Sequence, residues 1–227
     1  MERKIIHVVG TGTIGEPLIG LLCDYRDKLG LDEITFHKNS PIKEDRSKIL
    51  DLIERGARLA CDEDKEKQFR KLNMDPDFES EQAISRSSVV IDCTPKGIGH
   101  FNKNEYYQKF QGNVKGFLAQ GSEDGFGKKY ARGINDSSLS SHDKFIQIVS
   151  CNTHNVACIT NTIALDESPD NLERGTFLCI RRANDLSQRS NFIPSPKVGV
   201  HDDNRFGTHH ARDAFKLFQT IGMDLNI

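Results

Sequence analysis

The chain has 227 residues, 36% of them hydrophobic and 28% charged, with a formal net charge of -2 at pH 7. That length allows one large domain, or a standard domain and part of a second. A nearly balanced charge supplies no field for nucleic acid or an anionic membrane surface, and no apolar run approaches the roughly 20 residues that cross a bilayer.

The N-terminus passes from charged residues straight into a strand pattern. It lacks the longer apolar stretch and small-residue cleavage site of a signal peptide, which points to a cytoplasmic protein. Residues 4–9 are a β-branched run ending in glycine, a buried strand by pattern. Residues 14–29 predict a helix, with Ile14, Leu18, Leu21, Leu22 and Tyr25 at helical spacing and Gly30 as a stop. A second strand covers 33–36, and a helix 42–59 places Ile49, Leu50, Ile53 and Ala57 on one face. Residues 62–71 are almost all charged and predict a solvated helix rather than an interaction surface. A strand at 88–94, a helix at 100–110 and a strand at 114–120 follow.

Residues 121–143 are polar and rich in Gly, Ser, Asp and Asn. A strand at 144–149 then delivers Cys151 near its end, followed by a helix at 155–165 and a strand at 176–182. A long loop with Pro194 and Pro196 leads to a last helix at 210–221. Alternating strands and helices argue for a Rossmann-type, doubly wound parallel sheet over 1–150, followed over 151–227 by an incomplete α+β catalytic domain. The six cysteines (23, 61, 93, 151, 158 and 179) are spread out and predict reduced thiols. Only Cys151, His154 and Cys158 approach ligand spacing; with no second ligand pair, no metal is expected.

Gly10-Thr11-Gly12-Thr13-Ile14-Gly15 lies between the first strand and the first helix. In that context Gly10 permits the tight turn, Gly12 lets a pyrophosphate approach the backbone, and Gly15 lets helix and strand pack closely. The helix N-terminus then faces the phosphates with free N–H groups. The alternative is a glycine-rich turn without a ligand. After the second strand an NAD-selective site carries an acid for the ribose hydroxyls, whereas here His37-Lys38-Asn39-Ser40 follows. Lys38 beside small polar groups suits a 2′-phosphate, so NADP is expected with NAD tolerated; the alternative is an exposed lysine.

Ser150-Cys151-Asn152-Thr153 marks a strand end where a helix begins, a position that activates thiols and offers N–H donors to an oxyanion. An inert core cysteine is the competing reading. Taken in order, five segments resemble the archaeal-type (class II) phosphorylating glyceraldehyde-3-phosphate dehydrogenases. They are the glycine loop with its helix, the Lys38 turn, Ile91-Asp92-Cys93-Thr94-Pro95-Lys96-Gly97-Ile98-Gly99, Val149-Ser150-Cys151-Asn152-Thr153, and Ile180-Arg181-Arg182-Ala183. Ile193-Pro194-Ser195-Pro196-Lys197, with His209-His210 beyond it, is a weaker sixth.

The resemblance implies that Cys151 is the nucleophile. It attacks an aldehyde to give a thiohemiacetal, hydride transfer to NAD(P) leaves a thioester, and inorganic phosphate attacks the thioester. It further implies that Thr94, Pro95 and Gly97 pass beside the cofactor. Asn152 and Thr153 line the substrate site, Arg181 and Arg182 bind phosphate, and His209 and His210 lie on the substrate side. Without the resemblance, the arginines read as strand-end surface charges and the histidines as a helix N-terminus. A phosphorylated aldehyde and inorganic phosphate are the expected partners, and a homo-oligomer, a tetramer, the expected assembly.

Two departures stand out. His154-Asn155 follows Thr153 where the family has Thr-Gly, which leaves the aldehyde open. The family's chains are also longer, with a general-base histidine after a strand that would begin just past Ile227. The expectation is a chain lacking its C-terminal third, as a fragment or a short paralogue. A related semialdehyde dehydrogenase is the second enzyme reading, and a non-catalytic dinucleotide-binding protein the reading from another class.

Overall fold

The computed structural model describes residues 3–121, 123–165, 168, 170, 172–180, 183–184, 191–194 and 204–225. The backbone divides into two compact units, Met1–Ala119 and Gln120–Ile227.

In the first unit the strands are β1 (Ile5–Val9), β2 (Glu33–His37), β3 (Arg58–Cys61), β4 (Phe78–Glu79), β5 (Val89–Asp92) and β6 (Gly116–Gln120). They lie in the order β4-β3-β2-β1-β5-β6 with every pair parallel. The helices are α1 (Gly15–Asp24), α2 (Arg26–Leu29), α3 (Arg46–Glu54), α4 (Glu66–Lys71), α5 (Ser80–Ser85) and α6 (Ile98–Glu105). The chain builds outward from β1 in one direction through β4, then returns to β5 on the other side. This is the doubly wound α/β plan of a Rossmann-like domain, and its switch point falls at the C-terminal ends of β1 and β5.

Strands covered on both faces read as continuous apolar runs, and Val8, Ile34, Phe36 and Leu59 are fully buried with Ile19, Ile49 and Phe69 from the helices. The exception in β1 is His7. Its ring is fully buried, with Nδ1 2.7 Å from Thr35 Oγ1 on the register-paired residue of β2.

Four expectations need correction. The helix read at 14–29 is two helices interrupted at Tyr25, although the hydrogen bonds Tyr25 N–H to Leu21 O (3.0 Å) and Leu29 N–H to Tyr25 O (2.9 Å) carry on across the break. The helix read at 42–59 ends at Glu54, because Gly56 takes a left-handed φ of 97° and turns the chain into β3, where Leu59 is a strand residue. In the polar stretch 121–143 lies a further strand, β7 (Lys128–Tyr130). The strand read at 176–182 is not formed over the described residues 176–180, where no strand pairs with the chain and Leu178 and Ile180 are exposed.

The second unit pairs β7 in parallel with β8 (Phe145–Ile148). Helix α7 (Cys151–Ile163) packs on α8 (His209–Gln219), and α8 also packs on β7. Val149, Ala157, Leu217, Phe218 and Leu225 form the core of this unit. No described helix is long and apolar enough to cross a membrane.

Candidate active site

At the switch point of the first unit, Gly10 adopts a φ of 96° and donates its N–H to His37 O at 3.1 Å. A Cβ at Gly10 would lie 3.2 Å from the Cys93 carbonyl, so the loop after β1 packs directly on the peptide leaving β5. One at Gly15 would stand 1.9 Å from Gly10 O, so only glycine lets α1 begin there. Around Gly12 the result is the opposite: a Cβ would meet nothing within 4 Å. Above Gly12, then, is open space, and no side chain caps the N-terminus of α1. Bare backbone and open space at an uncapped helix N-terminus fit the pyrophosphate of a dinucleotide.

Asp92, at the end of β5, fixes the other wall. Its Oδ1 accepts hydrogen bonds from Thr94 N–H (2.9 Å) and the Thr94 hydroxyl, and Oδ2 accepts from Asn102 Nδ2 (2.9 Å) and the Tyr107 hydroxyl (2.6 Å). The carboxylate is nearly inaccessible, as is Tyr107, whose ring stacks on Phe117. Burial first, then the Asp92 charge, push the Tyr107 hydroxyl well above its usual pKa and the Cys93 thiol up to about 12, so both stay protonated. This arrangement sets the course of Thr94 and Pro95 toward Gly97, whose φ of 88° starts α6.

Lys38 is not the exposed lysine of the alternative reading. Only 6% of its surface is accessible, and Nζ lies 2.7 Å from Asp45 Oδ2 and 3.4 Å from Thr11 Oγ1.

In the second unit, α7 begins at Cys151 itself, four residues earlier than the helix read at 155–165. Ser150 is the N-cap: its extended backbone (φ -62°, ψ 157°) turns the chain out of β8, and its Oγ accepts the Thr153 N–H at 3.3 Å. Cys151 is therefore the first helical residue and is exposed, beside backbone N–H groups that no helical partner uses. From α8, His210 reaches the same turn. Its Nε2 lies 3.4 Å from Asn152 Nδ2, which can only donate, so Nε2 accepts and Nδ1 carries the hydrogen toward Ser150 Oγ at 3.1 Å and Thr153 Oγ1 at 3.4 Å. The His209 ring centroid lies 3.9 Å from that of His210, the two planes tilted by 44°. His154 donates from Nε2 to the Arg132 carbonyl at 3.0 Å.

No family model matches the chain. Proteins named glyceraldehyde-3-phosphate dehydrogenase from Pyrobaculum islandicum, Pyrobaculum arsenaticum and Methanobacterium formicicum are 23%, 25% and 26% identical to it, over 98%, 95% and 99% of this chain. The chain is similar to glyceraldehyde-3-phosphate dehydrogenases. It spans 60%, 59% and 61% of the length of those three relatives.

Of the residues that the likeness to these dehydrogenases singles out, the structure gathers two groups, each within one unit. Gly10, Thr11, Gly12, Thr13, Ile14 and Gly15 adjoin Thr94 and Lys38 in the first. Cys151, Asn152 and Thr153 adjoin His210, with His209 beside it, in the second. Arg181 and Arg182, and Ser195, Pro196 and Lys197 of the weaker match, lie outside the described residues. Sequence reasoning missed Asp92 as a hub, although it stands inside the quoted Ile91–Gly99 block. It also missed Asp45, and the buried pair Lys129 and Asp213. Lys129 Nζ contacts Asp213 Oδ1 at 3.0 Å, Asp124 Oδ1 at 2.9 Å and Gln147 Oε1 at 3.0 Å, which ties α8 to β7 and β8 one turn beyond His210. An acid one turn after the paired histidines was the available signal.

Proposed function

We propose that this chain carries the dinucleotide-binding and nucleophile-bearing parts of an oxidoreductase of the archaeal-type (class II) phosphorylating glyceraldehyde-3-phosphate dehydrogenase kind. The observation that carries the reading is Cys151: an exposed thiol at the first position of a capped helix, with His210 against the same turn. The open glycine loop and the likeness to proteins named for this reaction support it.

In the reaction, the Cys151 thiolate adds to the carbonyl carbon of a phosphorylated aldehyde, and the developing oxyanion faces the first-turn N–H groups of α7. A bound nicotinamide dinucleotide supplies the hydride acceptor. Loss of hydride from carbon, with the hydroxyl proton passing to a general base, turns the thiohemiacetal into a Cys151 thioester. Inorganic phosphate then attacks the acyl carbon, the C–S bond breaks, and an acyl phosphate leaves as the thiolate is restored. Asn152 and Thr153, held by His210, shape the aldehyde site, and Arg181 and Arg182 serve its phosphate groups. Gly10 to Gly15, Thr94, Pro95 and Gly97 hold the cofactor. NADP is preferred through Lys38, with NAD tolerated. A cytoplasmic homotetramer completes the proposal.

The test mixes the chain with NADP+ and glyceraldehyde 3-phosphate and follows reduced dinucleotide by absorbance. Reduction that increases with inorganic phosphate and vanishes in Cys151→Ser is the expected result. Reduction unaffected by Cys151→Ser, or no thiohemiacetal at Cys151 with dinucleotide bound, overturns it. Faster reduction with an unphosphorylated semialdehyde would replace the substrate class.

A further inference from the structure

We propose that Asp45 sets the choice between NAD and NADP by clasping Lys38, a role that rests on the dinucleotide-binding reading above. The end of β2 carries no acid, yet the fold delivers one. Asp45 ends the single 3-10 turn Lys43–Asp45, just before α3, seven residues on from Lys38, and its carboxylate meets the Lys38 ammonium at 2.7 Å. Thr11 Oγ1, in the glycine loop, stands on the other side of that ammonium at 3.4 Å. Lys38 therefore bridges the turn before α3 and the loop that receives the pyrophosphate.

The charge arithmetic changes the meaning of Lys38. Alone, an ammonium at this place draws a 2′-phosphate. Paired with Asp45 it contributes no net charge, and the partner carboxylate repels a 2′-phosphate while accepting a hydrogen bond from a 2′-hydroxyl. Lys65, near this strand end, is paired as well: its Nζ lies 2.7 Å from Asp62, whose other oxygen is 3.2 Å from His37 Nε2. Asp45 thus does for an NAD-type ribose what an acid at the strand end does in other Rossmann domains, from a different place in the sequence. NADP binds when Lys38 turns from Asp45 to the phosphate, so the pair holds NADP preference below what Lys38 by itself would give.

The test is a set of dissociation constants for NADP+ and NAD+ with the whole chain and with Asp45→Asn, Lys38→Met and both together. Asp45→Asn should tighten NADP+ roughly tenfold, the weight of one charge-assisted contact, while NAD+ gains nothing. Lys38→Met should remove any preference for NADP+. Adding Asp45→Asn to Lys38→Met should recover less than the gain seen alone, because Asp45 acts through Lys38. Should Asp45→Asn fail to fold, Asp45→Ser, a favoured residue type at the N-cap position ahead of α3, gives the same readout. An unchanged NADP+ to NAD+ ratio with both cofactors bound overturns the role of Asp45 and leaves the dinucleotide reading standing. No binding of either cofactor overturns both.

Discussion

Buried in the middle of β1, the His7 ring is held neutral: burial first, and the neighbouring His37 second, lower its pKa from 6.5 to about 3. The unfolded chain takes up a proton near pH 6.5 that the folded chain refuses. Stability is therefore complete above about pH 6.5 and falls by up to about 1.4 kcal/mol per unit as pH drops toward 3. Urea midpoints at about pH 7 and 4.5 should show a smaller acid loss in His7→Val than in the parent; equal losses would remove His7 from the account. Asp92 makes a second prediction at this scale. Asp92→Ala strands Tyr107, Asn102 and Thr94 in a closed site, and should cost on the order of 3 kcal/mol in denaturation together with weaker dinucleotide binding. A loss under 1 kcal/mol would mean the four bonds are replaced. Gly10, Gly12 and Gly15 could be read from sequence because a turn's demands are local. Asp45 and Asp92 could not, because their roles depend on partners the fold brings together from 7 and 15 residues away.

Strands and helices carried their own signals unevenly. β1, β5 and β8 announce themselves by apolar, β-branched runs, whereas β4 and β7 span two and three residues and take their identity only from a neighbour. β3 was read as the end of a helix because its apolar spacing also fits α3; the left-handed Gly56 decides between them. In α7, a single hydroxyl fixes where the helix starts. Ser150→Ala should cost about 1 kcal/mol as a lost N-cap and free the His210 ring from one of its contacts, measurable as a lower melting point. No change would assign the start of α7 to packing alone. The elements also sort the thiols. Cys151 opens α7 and is exposed, as is Cys179, while Cys61 and Cys93 end or follow strands, where burial pushes them up to about 11 and 12. Native alkylation with peptide mapping should therefore label Cys151 and Cys179 and spare Cys61 and Cys93. Early label at Cys93 would contradict the packing of β5 under the glycine loop.

For the molecule as a whole, sequence alternation foretold the doubly wound sheet, since a repeated strand–helix order leaves few ways to cover both faces. The sequence reading places residues 1–150 in the Rossmann-type part by its alternation of strands and helices, and backbone contacts divide the chain between Ala119 and Gln120. A ligand that binds only the folded first unit must stabilise it by mass action, about 2.7 kcal/mol at 100 times its dissociation constant. Calorimetry with saturating NADP+ should accordingly raise the melting transition, and Gly12→Val should abolish the rise. The same rise in Gly12→Val would place the dinucleotide elsewhere.

Lys129 and Asp213 have a consequence for sequence change. Their side chains are 6% and 0% exposed and meet at 3.0 Å. Removing Lys129 leaves the buried Asp213 with Arg212 at 3.4 Å, and removing Asp213 leaves the buried Lys129 with Asp124 at 2.9 Å, so either change alone costs up to about 3–5 kcal/mol, while exchanging both for apolar residues of similar volume is often neutral or better. Neither position can drift by itself. In any collection of descendants of this chain, selected only for staying folded, the two should be kept together or replaced together, and the rare variants with one changed should carry a second change near Asp124 or Gln147.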